Sequence, residues 1–288
     1  MMGTWLLCHL YFKDASMAPY RSPRAFFGTL LAAFLLAVAS ALCPVWATSF
    51  ATDQSDLWWN PNESGWGMQL VHRGSVIFAT MFVYDPSRTP IWYVATLHYA
   101  GNLMWTGDLL LTSGPWFGTV PFNPAAVSYR RVGSLTWTAN TVTSGTLTYS
   151  VDGVFVGKNL VRQLLVYDDF NGAYRGATHE DASGCFNPAF NGAIEQNTTL
   201  NITQSGTAVT VSGGFGSGGF CTYNGTFSQA GQMGQVDGSY SCSSGDFGSF
   251  TISEMQVNVS GVTARLTADS NPLGCHVTGW LGGMRSAF

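Results

Sequence analysis

From Gly67 onward the chain is a succession of short apolar or alternating runs, punctuated by Gly, Ser, Asn and Asp. In the first half these runs are Gly67–His72, Val76–Tyr84, Ile91–Tyr99, Leu103–Leu111, Gly133–Thr138, Gly145–Val151 and Val154–Gln163. In the second half they are Gly172–Ala177, Thr199–Gln204, Ala208–Gly213, Phe220–Gln229, Gly234–Cys242, Gly248–Val259, Val262–Ala268 and Cys275–Leu281. Period-two runs bounded by turn residues predict strands. Arg73-Gly74 is a hairpin-sized link, and Asp152-Gly153 is the strongest hairpin dipeptide in the chain. No helical apolar period of useful length follows Ala47. The pattern predicts an all-β protein of two antiparallel meanders, each a small barrel or sandwich.

Val76–Tyr84 departs from simple alternation, because VIFATMFVY is apolar at nearly every position. A strand that is apolar on both sides must be covered on both sides. One face would be the barrel interior. For the other, an inter-domain contact through Val76–Tyr84 is expected in preference to a ligand groove.

The two halves differ in character. Trp58, Trp59, Trp66, Trp92, Trp105, Trp116 and Trp137 fall in the first half, and Trp280 alone in the second. Residues 48–166 hold six acidic and six basic side chains, whereas residues 167–288 hold nine acidic and three basic. A boundary near Tyr167-Asp168-Asp169 follows, with a Trp-rich domain at 48–166 and an acidic, cysteine-containing domain at 167–288.

The first 47 residues read as a secretory signal peptide. Arg21 and Arg24 precede the uncharged run Ala25–Leu42, and Val45 and Ala47 are the small residues before a cleavage point. Met17 is a second plausible start, so residues 1–16 read as an over-long beginning. The apolar run is at the low edge for spanning a bilayer and no basic stop-transfer cluster follows it. No transmembrane span is therefore expected in the mature chain. Cleavage would leave nine basic and fifteen acidic residues. It would also leave four cysteines, Cys185, Cys221, Cys242 and Cys275, an even number that in an exported protein predicts two disulfides. With no C-x-x-C pair, zinc is disfavoured. The expected pairs are Cys221–Cys242, on consecutive strands about a turn near Gly231 with a bulge to absorb one odd residue, and Cys185–Cys275, tying the domain's beginning to its end.

Charged residues are only 10% of the chain, aromatics are 14% and the formal net charge is −4. Disorder is excluded by that balance, and nucleic-acid binding is disfavoured because no Lys/Arg run is present. No cofactor motif is found. Gly213–Gly219 lacks the Lys and following helix of a phosphate loop and reads as a hairpin connection.

Trp58-Trp59-Asn60-Pro61-Asn62-Glu63-Ser64-Gly65-Trp66-Gly67, then Phe78-Ala79-Thr80-Met81-Phe82-Val83-Tyr84-Asp85 and Ile91-Trp92-Tyr93-Val94, resembles a module of exported proteobacterial proteins. Its pattern is W-W-N-P-x-E-S-G-W-G, then F-A-T-x-F-x-Y-D, then a Trp-containing strand. Tyr149-x-Val151-Asp152-Gly153 and Lys158-x-x-x-Arg162-Gln163 are similar to the module's end. The likeness spans about Leu57–Gln163. The second half resembles, more distantly, a cysteine-bearing partner region of some of these proteins. The resemblance implies a β fold and export in a Gram-negative bacterium, to the periplasm, the outer membrane's surface or the medium. It brings no reaction. In architecture, strands that open on Gly and an aromatic, as at Gly65-Trp66 and Gly172-Ala173-Tyr174, are similar to calycin-type barrels.

The candidate site is the Pro61–Gly65 loop with its aromatic surroundings: Trp58, Trp59, Glu63, Trp66 and Trp92. Flat indole faces suit a glycan or an apolar small ligand. Trp58 and Trp59 are adjacent, so on a strand only one can face inward. Glu63, desolvated by indoles, would have a raised pKa and could serve an envelope hydrolase as general acid or base, although glycoside hydrolysis needs a second carboxylate. Against this stands a structural Glu63 that accepts backbone or indole N–H bonds. Ser64 is not in a G-x-S-x-G elbow. His179-Glu180-Asp181 reads as a solvated loop leading to Cys185. A non-enzymatic binding or cell-envelope interaction protein is the expected class.

Overall fold

The computed structural model describes residues 49–215 and 219–286. The expected signal peptide lies outside the described residues, as do residues 216–218 of the glycine-rich connection. Sixteen antiparallel strands close into two eight-stranded barrels. The first is built from β1 (Asp56–Trp59), β2 (Gly67–Arg73), β3 (Val76–Tyr84), β4 (Pro90–Gly101), β5 (Met104–Ser113), β6 (Ser128–Ala139), β7 (Ser144–Val151) and β8 (Val154–Arg162). Each strand pairs with the next, and β1 closes on β8 through Trp58↔Arg162 and Trp59↔Val161. The second is built from β9 (Gly172–Ser183), β10 (Gly192–Ser205), β11 (Ala208–Phe215), β12 (Phe220–Ala230), β13 (Met233–Cys242), β14 (Phe247–Val257), β15 (Gly261–Ser270) and β16 (His276–Arg285), with β16 closing on β9.

Eight strands leave an interior just wide enough for side chains to fill. In the first barrel Trp58, Trp105 and Trp137 are fully buried among Met68, Leu70, Ile77, Leu97, Leu109, Leu135 and Leu147. In the second, Phe170, Tyr174, Phe227, Val236 and Ile252 play that part. Both interiors are predominantly apolar, the reverse of a membrane-spanning barrel with its polar lumen and apolar outer band. No helix among the described residues is long and apolar enough to cross a membrane.

The turns follow from their residues. Asp152 and Gly153 both have positive φ, as a type I′ hairpin requires. On β12–β13, Ala230 pairs Met233 and Cys221 pairs Cys242 directly. The loop is therefore Gly231-Gln232, the cysteines are equidistant from its centre, and the expected bulge is not needed. Both disulfides form, Cys221–Cys242 and Cys185–Cys275.

The expected role of Val76–Tyr84 is corrected. Ile77, Ala79 and Met81 point into the barrel, but Phe78, Phe82 and Tyr84 face outward and are exposed. The strand alternates in direction even though its composition does not. The second barrel is met instead by the segment preceding β1 and by the ends of β1 and β8. Thr52 Oγ1 donates to Glu254 Oε1 at 2.9 Å, and Arg265 donates to Ser49 Oγ at 2.7 Å. Asp56 Oδ2 accepts from Arg162 at 3.0 Å and from the backbone N–H of Gln232 at 2.9 Å.

Candidate functional site

In an up-and-down barrel, alternate loops share an end. The β1–β2, β3–β4, β5–β6 and β7–β8 connections form one end of the first barrel, away from the junction with the second. This end is the mouth, and the Pro61–Gly65 loop lies on it.

Glu63 sits at the mouth between two donors. Lys158 Nζ is 2.7 Å from Oε1, and Trp66 Nε1 is 3.1 Å from Oε2. Lys158 comes from β8, beside Leu160, on the inward face. Glu63 is about two-fifths exposed. The Lys158 hydrogen bond, with a smaller contribution from Trp66, holds its carboxyl below the usual range against a modest desolvation. The expectation of a raised pKa fails for this reason: the indole contributes an N–H donor as well as an apolar face, and a cation completes the pair. Tyr149 and Tyr93 line the same end, their hydroxyl pKa values raised chiefly by burial.

The other expected site residues separate into two groups. Trp58 is fully buried and donates its indole N–H to Gln54 O at 3.0 Å, with the Arg162 guanidinium over its ring at 4.6 Å. It is a core residue and is closed to ligands. Trp59, its neighbour, points outward. The register then places Trp59 on β1, Gly67 on β2, Phe82 on β3 and Trp92 on β4 along one transverse row of the outer wall: Trp58 pairs Met68, Gly67 pairs Phe82, and Phe82 pairs Trp92. Trp92 and Phe82 are each 53% exposed. Adjacent strands are about 4.8 Å apart, so the row is a flat aromatic strip with one glycine-sized gap. Trp66 belongs to the mouth and packs against the core. The expected cluster is thus a mouth pair (Glu63, Trp66), an outer row (Trp59, Trp92) and one core residue (Trp58).

Sequence reasoning missed Phe82 and Lys158. Phe82 was hidden in a run read as buried on both sides. Lys158 is the only lysine after Ala47, a signal that could have marked it as a partner for the loop's carboxylate. A groove of about 440 Å³ also opens on the outer wall across β6–β8, lined by Ser134, Thr136, Thr148, Ser150 and Phe155.

The cluster His179-Glu180-Asp181 lies on β9 rather than in a loop. His179 Nδ1 is 3.2 Å from Glu195 and Nε2 is 3.2 Å from Asp181. Glu180 alternates inward, and desolvation raises its pKa. Among the described residues, no group of three or more His, Cys, Asp or Glu is arranged to hold a metal ion.

The fold and site define a two-barrel, disulfide-bonded β protein with an aromatic strip beside the mouth of its first barrel. No family model matches the chain, and no curated protein matches it. Among solved structures it is similar to a Bacteroides fragilis NCTC 9343 protein described as a "putative outer membrane protein". That likeness has 11% identity and a TM-score of 0.30, covering 83% of this chain and 100% of the other.

Proposed function

We propose that the chain is an exported, non-enzymatic binding protein whose first barrel recognises a glycan through the outer row Trp59–Gly67–Phe82–Trp92. The observation that carries this reading is the register itself. Three exposed or half-exposed aromatic side chains share one row of a rigid sheet, and Gly67 leaves room between Trp59 and Phe82. Rigid aromatic faces on strands bind flat apolar ligand surfaces at little entropic cost. Asn60 and Asn62, in the loop that follows Trp59, offer polar partners beside the strip. Export is supported by the two disulfides, which persist in oxidising compartments, and by the module resemblance over Leu57–Gln163. The hydrolase alternative loses its general acid, since the Lys158 hydrogen bond holds the Glu63 carboxyl below the usual range.

The test is a calorimetric and array screen of soluble oligosaccharides, with β-linked glucans, chito-oligosaccharides and peptidoglycan fragments as probes. Wild type should bind at least one class, and Trp92→Ala should weaken it about tenfold or more, as for a central aromatic anchor. Trp92→Phe should retain most of the affinity. Equal binding by wild type and Trp92→Ala, or no binding to any probe, would reject the row as a glycan site.

A further inference from the structure

From Leu109 to Tyr129 the chain carries no charged side chain. Its central part, the β5–β6 connection, stands out at the mouth end with every residue from Trp116 to Tyr129 exposed. Trp116 is 69% exposed, Phe117 87%, Val120 91% and Phe122 51%. This is a shaped projection. Thr119 N–H bonds Trp116 O at 2.9 Å, Asn123 caps a short turn at Pro124–Ala126, and Val127 packs on Gly114 at the neck. Tyr129 stands beside it. The β7–β8 hairpin joins the same surface, because Asp152 is bound to Arg130 at 2.5 Å, and it brings Phe155 forward at 84% exposure.

We propose that this end of the first barrel docks on a lipid bilayer, with Trp116, Phe117, Val120 and Phe122 entering the interface. Trp, Tyr and Phe settle at the level of the headgroups, where an apolar body and a polar edge are both satisfied. The charge distribution favours a lipid surface. Arg130 is paired with Asp152, Arg131 with Asp108 and Lys158 with Glu63, and Asp85 and Arg88 of the β3–β4 connection balance in sign, so this end carries no net charge. The acidic surplus lies in the second barrel, with nine acidic side chains to three basic, at the opposite end of the first. An anionic bilayer would repel that barrel and leave the neutral, aromatic end facing the lipid. The depth of such a docking is that of loop side chains, and neither barrel spans the membrane. The side chains differ from those of the aromatic row on β1–β4 at the same end, so the loop variant below and Trp92→Ala test the two readings separately.

The test uses the chain from Trp46 to Phe288, which forms one compact unit. It is floated with vesicles of neutral phosphatidylcholine and of phosphatidylcholine with phosphatidylglycerol. Wild type is expected to float with neutral vesicles, and a triple variant, Trp116→Ser, Phe117→Ser and Phe122→Ser, should partition about tenfold less or weaker still. These side chains are exposed, so the variant should melt as wild type does. Added phosphatidylglycerol should not increase wild-type binding, because the docking end is neutral. The proposal fails if wild type stays with the unbound fraction, or if the triple variant floats equally. It also fails if light scattering shows a wild-type dimer that the triple variant turns into a monomer, which would assign the surface to a second copy of the chain.

Discussion

Arg162 ends β8 with its side chain wholly enclosed, and each arm of its guanidinium has a partner. Nε donates to Val142 O at 2.7 Å, Nη1 to Ser55 O and to Asp56 at 3.0 Å each, and Nη2 to Asp53 O. Removing one member of such a network leaves the others buried and unpaired. Arg162→Met should therefore cost about 3–5 kcal/mol in urea unfolding, whereas Arg131→Met on the exposed wall should change it by less than about 1 kcal/mol. Glu180 presents the opposite case. Desolvation raises its folded-state pKa above the ordinary value. Its stabilising contribution is complete below about pH 4.5 and is lost as pH rises through the folded-state value. Glu180→Gln should raise the melting midpoint at pH 7 and leave it nearly unchanged at pH 4. His179 faces Glu195 and Asp181 with one ring nitrogen each, and only the imidazolium can donate to both. Its pKa is raised, chiefly by Glu195 and then Asp181. The pairing thus supports the fold below about pH 6.5 and fades as pH climbs through the raised value. A proton NMR titration should give a higher midpoint for His179 in wild type than in Glu195→Gln.

Among the strands, legibility depended on length and on which side chains faced water. Seven strands of the first barrel and all eight of the second were readable from alternation and turn residues. The missed strand was β1, only four residues long and doubly aromatic, with no period to detect. Strands β9 and β10 run further than their apolar cores because the polar residues Thr178–His179 and Glu195–Gln196 continue the ladder. Alternation of His179 and Asp181 outward with Glu180 inward was the period-two signal that polar composition concealed. At the candidate site, the sequence showed which residue types were present but could not assign Trp58, Trp59 and Trp92 to core or wall, because register is a property of pairs of strands. The turn at Gly231-Gln232 fixes one such register. Inserting a residue there should slip Cys221 past Cys242, and non-reducing peptide mapping should then show that disulfide lost or exchanged.

At the scale of the whole molecule, each barrel closes on its own strands, and both disulfides lie in the second. The Cys185–Cys275 bridge spans 90 residues of sequence. In the chain-entropy picture a loop of that size contributes about 4–5 kcal/mol. Reduction should lower the stability of the second barrel far more than that of the first. The junction through Asp56, Arg162 and Gln232 would still let loss of one barrel weaken the other. The distribution of tryptophan makes the difference observable without a label. Seven indoles belong to the first barrel or its loops, and Trp280, beneath the Arg265 guanidinium at 3.7 Å, is alone in the second. The chain therefore carries its own spectroscopic division of labour: indole emission follows chiefly the first barrel, seven indoles to one, while far-ultraviolet circular dichroism follows the strands of both. Under reductant, the two signals should melt at different temperatures, and their separation would measure how strongly one barrel's order depends on the other's.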